Sequence, residues 1–211
     1  MKALIQFDFQ SNKKTILLAT LLIGAFIVYA LVKGGSQALT TLPAAVYLAQ
    51  VLMLTSYIKD AKEGLQKYLF SMPISKGAYI LSKLTYPLIY GLVASILVSL
   101  DCLLGGKVDL ATIPFIFLGI LLLNLFLGSL EMLFLVKFGE ERGRFVLAGV
   151  IIVFVVLVNL FRDHTDFLQK IYLQIEGGSW LLMASLCILL GGLMVYGLVR
   201  GAIGLLEKKE Y

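Results

Sequence analysis

The chain has 211 residues, 60% of them hydrophobic, and a formal net charge of +5. A soluble domain is about 45–50% apolar. Here the excess is gathered into long uncharged runs and the mean hydropathy reaches +0.95, which excludes a soluble globular domain and indicates a polytopic membrane protein.

The first segment, Met1–Asn12, is short and half apolar, with Leu4, Ile5, Phe7 and Phe9. It suits either a helix lying in the membrane interface or a plain lead-in. Six apolar runs follow, at approximately 15–32, 38–58, 78–104, 113–136, 145–161 and 180–200. At about 1.5 Å per helical residue, each is long enough to cross a hydrocarbon core of about 30 Å, with some tilt. None alternates with the period of two that a membrane strand requires. The first run is longer than the apolar core of a cleaved leader, so it is expected to be retained as a span. The predicted fold is therefore an all-α integral membrane protein, a single domain over 1–211.

Small residues recur every fourth position in three runs: Thr41, Ala45 and Ala49; Gly91, Ser95 and Ser99; Gly197 and Gly201. This spacing lets helix backbones approach closely and marks helix contacts. Between the second and third runs, approximately 60–71 reads as an amphipathic helix. Ala61, Leu65, Tyr68, Leu69 and Met72 fall on one face, and Asp60, Lys62, Glu63, Gln66 and Lys67 on the other. Such a helix lies on the membrane surface or docks on a partner. Pro73 is expected to stop it, Ser75 to cap the next helix, and Pro87 to kink the third span. Lys137–Arg144 is expected to be a short charged loop. The longer segment Arg162–Ser179 carries Phe167, Leu168, Ile171, Tyr172 and Ile175 at helical spacing, which suits a helix partly buried in the outer leaflet.

Fourteen of the 18 Lys and Arg residues fall on one set of segments: Lys2, Lys13 and Lys14; Lys59, Lys62, Lys67, Lys76 and Lys83; Lys137, Arg142 and Arg144; Arg200, Lys208 and Lys209. Lys33, Lys107, Arg162 and Lys170 fall on the other. The bias places both termini in the cytoplasm. The positive charge is thus topological, and its scatter over short segments gives no nucleic-acid surface.

Catalytic constellations are missing. His164 is the single histidine, Cys102 and Cys187 lie within apolar runs as small core residues, and neither a metalloprotease helix, a nucleophile elbow nor a phosphate-binding loop occurs. Glu140-Glu141-Arg142-Gly143-Arg144 has a spacing one short of a membrane endopeptidase motif and lacks its histidines. The polar residues at depth are Gln50, Asp101, Asn124, Glu131 and Asn159. Asp101 and Glu131 lie near opposite interfaces, and Glu131 is within reach of Lys137 or Lys83 for a structural ion pair.

The run from Lys59 to Lys76, above all Tyr68-Leu69-Phe70-Ser71-Met72-Pro73-Ile74-Ser75-Lys76 followed by Ser82-Lys83, resembles the first cytosolic loop of ABC-2 type transporter permeases. Lys137-Phe138-Gly139-Glu140-Glu141-Arg142-Gly143-Arg144 resembles a second loop of the same group. The resemblance implies a bacterial cytoplasmic-membrane permease without catalytic activity of its own. Asp60, Lys62, Glu63, Leu65, Lys67, Tyr68, Leu69, Phe70 and Met72 would form its coupling helix. Glu140, Glu141, Arg142 and Arg144 would make a secondary cytosolic contact. The implied partners are two cytosolic ATPase subunits, which would hold the ATP and Mg, and a second permease chain, identical or paralogous. The implied cargo is an amphipathic peptide, bacteriocin or antibiotic moved outward, which suits spans with few polar groups. Two other readings stay open. A substrate-capturing subunit of a vitamin importer would bind its ligand in an outer pocket. A non-transport membrane partner would stimulate no ATPase.

Overall fold

The computed structural model describes residues 2–33, 38–62, 64–71, 74–104, 110–163 and 180–209. These residues form eight α-helices and one 3-10 turn, with no strand among them. In chain order the helices are α1 (Lys2–Ser11), α2 (Lys13–Lys33), α3 (Ala38–Lys62), α4 (Leu65–Ser71), α5 (Lys76–Lys83), α6 (Thr85–Leu104), α7 (Ile113–Asp163) and α8 (Trp180–Glu207). The 3-10 turn Leu110–Thr112 leads into α7. Pro114 sits in the first turn of α7, where a missing N–H leaves no bond unmade.

Three stretches are long and apolar enough to cross a membrane among the described residues: Lys76–Leu100, Ile113–Gly139 and Ala184–Glu207. The other expected runs are helical as well, within α2, α3 and the second limb of α7. Large apolar side chains point outward along α2 (Leu17, Leu18, Leu21), α6 (Leu88, Val93, Ile96) and α8 (Leu186, Leu189, Leu193). A surface this apolar is unsuited to water and suited to lipid.

Two breaks differ from expectation in position or extent. The third run loses one helical hydrogen bond at Leu84, between α5 and α6, while Leu84 itself stays helical and bonded to Ile80 and Leu88. Pro87 accounts for this, because it has no N–H to offer the Lys83 carbonyl and its ring crowds that carbonyl. Lys137–Arg144, expected as a loop, is helical except at Gly139, whose φ of 81° and ψ of −179° fall in a region that glycine alone occupies readily. One residue therefore turns α7 into two limbs, where a loop of several was expected. The expected helical patch at Phe167–Ile175 lies outside the described residues.

Close backbone approaches set the packing. A Cβ on Gly91 would meet Asn124 Cβ at 3.0 Å, and one on Gly128 would meet Pro87 Cγ at 2.7 Å, so α6 and the first limb of α7 run antiparallel. A Cβ on Gly191 would lie 3.6 Å from Leu122, and one on Gly201 3.0 Å from Leu133, so α8 runs parallel to that limb. Of the expected GxxxG pair only Gly201 makes a close contact, since Gly197 faces open space. Ala49, Ser95 and Ser99 are buried, as small interface residues should be. The packed core gathers at the end of the bundle where α3 and α8 finish and α5 begins: Met53, Tyr57, Leu69, Tyr79, Ile80, Leu135, Val136 and Leu206.

Gly128 is the sharpest test of this packing. The proline ring cannot rotate away, so Gly128→Ala should destabilise the protein by about 1–3 kcal/mol. Gly24→Ala, inside α2 where a Cβ meets nothing within 4 Å, should leave it as stable or more so, by up to about 1 kcal/mol. Thermal unfolding in detergent compares the two.

Candidate functional site

At the core end of the bundle the polar groups are organised around α5. Lys83, the last residue of α5, has a side chain with no exposure, and its ammonium lies 2.6 Å from Asp8 Oδ1 and 2.5 Å from Asp60 Oδ2. It also donates to Ser56 Oγ at 2.7 Å. Asp8 Oδ2 accepts from Ser82 Oγ at 3.2 Å. Asp60 Oδ2 accepts from the Tyr79 hydroxyl at 3.1 Å, and that hydroxyl accepts from Gln66 Nε2 at 3.3 Å. One lysine thus ties α1 to the end of α3, and one tyrosine extends the tie to α4. α1 is held a second time, because its Asp8 carbonyl accepts from Tyr86 OH at 3.1 Å and Phe9 stacks on Tyr86 at 5.3 Å. Lys59 adds a third link, donating to the Ser11 carbonyl at 2.8 Å and hydroxyl at 2.7 Å.

Burial of this kind is tolerable only when every charge is paired and the remaining lone pairs are met. Burial pushes the Asp8 carboxyl above its ordinary value. Lys83 opposes that shift, and Asp60 adds to it. Two carboxylates face one ammonium here, so the repulsion from Asp60 adds to the larger effect of burial on Asp8.

α4 sits on this platform. Gly64, with a φ of 68°, makes the left-handed turn between α3 and α4. That turn corrects the expected continuous helix over approximately 60–71: the segment is two helices, and the phase of the apolar ladder is reset between Ala61 and Leu65. The side chains sort accordingly. Asp60 and Gln66, expected on the open polar face, are buried. Tyr68, expected on the apolar face, is 61% exposed, beside exposed Lys67. Leu69 is buried, Leu65 is half-buried, and Phe70 is half-buried with its ring edge-on to Tyr79 at 5.3 Å. Lys62 is exposed at the end of α3. Glu63 and Met72 lie outside the described residues. In the second segment Arg142 is exposed, and the side chains of Glu140, Glu141 and Arg144 lie outside the description.

The residues at depth form a separate group. Gln50 Nε2 donates to the Asn124 carbonyl at 3.2 Å. Gln50 Oε1, both polar side-chain atoms of Asn124, Ser99 Oγ and both oxygens of Glu131 are buried without a protein partner among the described residues. The expected pairing of Glu131 with Lys83 or Lys137 is not formed, because Asp8 and Asp60 occupy Lys83. The side chains of Asp101 and Asn159 lie outside the description.

Asp8, Ser56, Tyr79, Ser82 and the α5 lysines were missed as site residues by sequence reasoning. The available signal was Asp8 itself, a lone acid in an apolar lead-in. Its partner lies 75 positions away, beyond the reach of any local pattern.

Removing Lys83 strands two buried carboxylates, whereas removing Asp8 leaves a one-to-one pair. Lys83→Met should therefore cost about 3–5 kcal/mol, and Asp8→Asn much less, in chemical unfolding. The raised Asp8 carboxyl also has a pH signature. As pH falls from neutral toward the ordinary 3.8, the folded chain takes up this proton before the unfolded one, so this group's contribution favours folding increasingly. Asp8→Asn should flatten that part of the stability profile.

A sequence model of the family described as ABC-2 family transporter protein matches residues 3–199. No curated protein and no solved structure matches the chain. The match takes in every helix from α1 through most of α8, including the membrane-length stretches and the α4–α5 platform. The chain belongs to the ABC-2 transporter family, as a transport membrane protein.

Proposed function

We propose that this chain is the permease subunit of an ATP-driven exporter, one of a pair of permease chains served by two cytosolic ATPase subunits that bind ATP and Mg. The observation that carries this reading is the split character of α4. Its inner side, Gln66 and Leu69, is locked onto the Lys83–Tyr79 platform, while its outer side presents Lys67 and Tyr68. A short helix held rigidly beneath and open above is suited to receive a push from a partner. An aromatic with a neighbouring charge is the composition of an interface anchor. Lys62, exposed at the end of α3, is included in the proposed contact. Glu63, Met72 and the Glu140–Arg144 segment complete the proposed contact.

The orientation that fits is a bacterial cytoplasmic membrane crossed six times with both termini inside. The bias of Lys and Arg supports it, as does the gathering of α1, α4, α5 and the end of α8 at one end of the bundle. The proposed cargo is hydrophobic or amphipathic: a peptide toxin, bacteriocin or antibiotic. Few polar side chains lie at depth, and the long outward faces are apolar.

Exposed residues separate docking from folding. Tyr68→Ala combined with Lys67→Glu should lower the affinity for the co-purifying ATPase by about 2 kcal/mol or more, roughly 30-fold, with an unchanged unfolding temperature. A pull-down of tagged protein with ATPase assay of the eluate reads this. Full ATPase recovery by the double variant would remove α4 as the contact, and no ATPase with the unaltered chain would remove the exporter reading.

A further inference from the structure

A push on α4 must reach helices that α4 does not touch, and the first residue of α5 provides a route to the last one. The Lys76 ammonium donates to three backbone carbonyls at the end of α8: Leu206 at 3.0 Å, Glu207 at 3.3 Å and Lys209 at 2.9 Å. The final carbonyls of a helix have no partner within it and form the negative end of its dipole. An ammonium has three N–H groups, and here three carbonyls of that one helix end lie within its reach. The two helices also pack beside this cap, since a Cβ on Gly77 would lie in van der Waals contact with Ile203 of α8 at 3.5 Å. On its other side Lys76 lies 5.8 Å from the centre of the Phe70 ring of α4, and that ring sits edge-on against Tyr79.

Local chemistry did not require this arrangement. Lys208 and Lys209 stand at the same terminus and are the usual residues to neutralise it. The Leu206 carbonyl does take one local bond, from the Lys209 N–H at 3.2 Å, but the charge at this terminus comes from a residue 130 positions away in sequence. α5 continues into α6 through Leu84, whose N–H bonds the Ile80 carbonyl and whose carbonyl accepts from Leu88, each at 3.1 Å, so a shift of α5 is carried on into the membrane stretch Lys76–Leu100. The two ends of α5 hold different partners. Lys83 grips α1 and α3, and Lys76, about 10 Å away along the helix, grips α8.

We infer that Lys76 is the positioning residue that passes movement of α4 into α8, joining the Phe70 ring of α4 to the carbonyls at the end of α8. This rests on the reading of α4 as the ATPase contact. It predicts that α8 needs the Lys76 side chain to respond to the nucleotide state of the partner.

The experiment uses the full chain purified with its co-purifying ATPase. Hydrogen exchange at residues 200–209 is compared between the ADP state and the state trapped with ATP and vanadate. In the unaltered complex the exchange of this segment should change on trapping. Lys76→Met should abolish the change while α4 keeps its protection by the ATPase. Lys76→Arg, which retains charge and several donors, should restore it. Lys76→Gln, measured alongside so that the result does not hang on the folding of one variant, should give a reduced change. An α8 response in Lys76→Met and Lys76→Gln as large as in the unaltered complex overturns the inference and leaves the exporter reading standing, as does an unaltered complex whose α8 ignores trapping. Failure of the unaltered chain to bring down an ATPase overturns that reading and the inference with it.

Discussion

The structure depends on one buried ammonium. Lys83 has no solvent to turn to and two carboxylates to satisfy, and the low polarity around it makes each separation expensive. Its partners come from α1 and from the last turns of α3, so neither can drift without leaving a charge unpaired. Ser56, Ser82 and Tyr79 take up further hydrogen-bonding capacity around the pair, which turns an otherwise costly burial into a fixed joint. The placement of α4 follows from it. Tyr79 points its hydroxyl at Asp60, Gln66 reaches that hydroxyl, and α4 is left with Lys67 and Tyr68 outward.

The interior of the bundle is built differently. Glycines at 91, 128 and 201 bring backbones together, and dispersion between close-packed helices replaces the hydrophobic drive that lipid does not supply. Yet Gln50, Ser99, Asn124 and Glu131 hold polar atoms there without protein partners among the described residues. Such atoms weaken the packing they sit in. The joint at one end is therefore more completely satisfied than the helix contacts it adjoins.

α5 links the two regimes. It is short, carries a lysine at each end, and is marked off from α6 only by the bond that Pro87 cannot donate. The bonds from Leu84 N–H to Ile80 and from Leu88 N–H to Leu84 carry the helix across that point, so the platform leads directly into the membrane stretch Lys76–Leu100.

Much of this was legible in the residues alone. Helical runs follow from apolar length, because a chain in lipid must satisfy its backbone internally. The cap at Ser75, whose hydroxyl accepts from the Ala78 N–H at 3.2 Å, follows from local chemistry, and so does the disruption that Pro87 imposes on the third run. The two loop motifs, Tyr68–Lys76 and Lys137–Arg144, pointed to the family that the whole-chain match establishes. The sequence could not decide which way the side chains of residues 60–70 face, because a single left-handed glycine at 64 resets the helical phase and periodicity counted across it fails. Nor could it choose the partner of Lys83. Glu131 is a plausible neighbour by depth, while Asp8 and Asp60 are neighbours only after α1, α3 and α5 have packed. Local geometry and solvent preference act over a few residues and are written in sequence; charge pairing across 75 positions exists only once the tertiary structure has closed the distance.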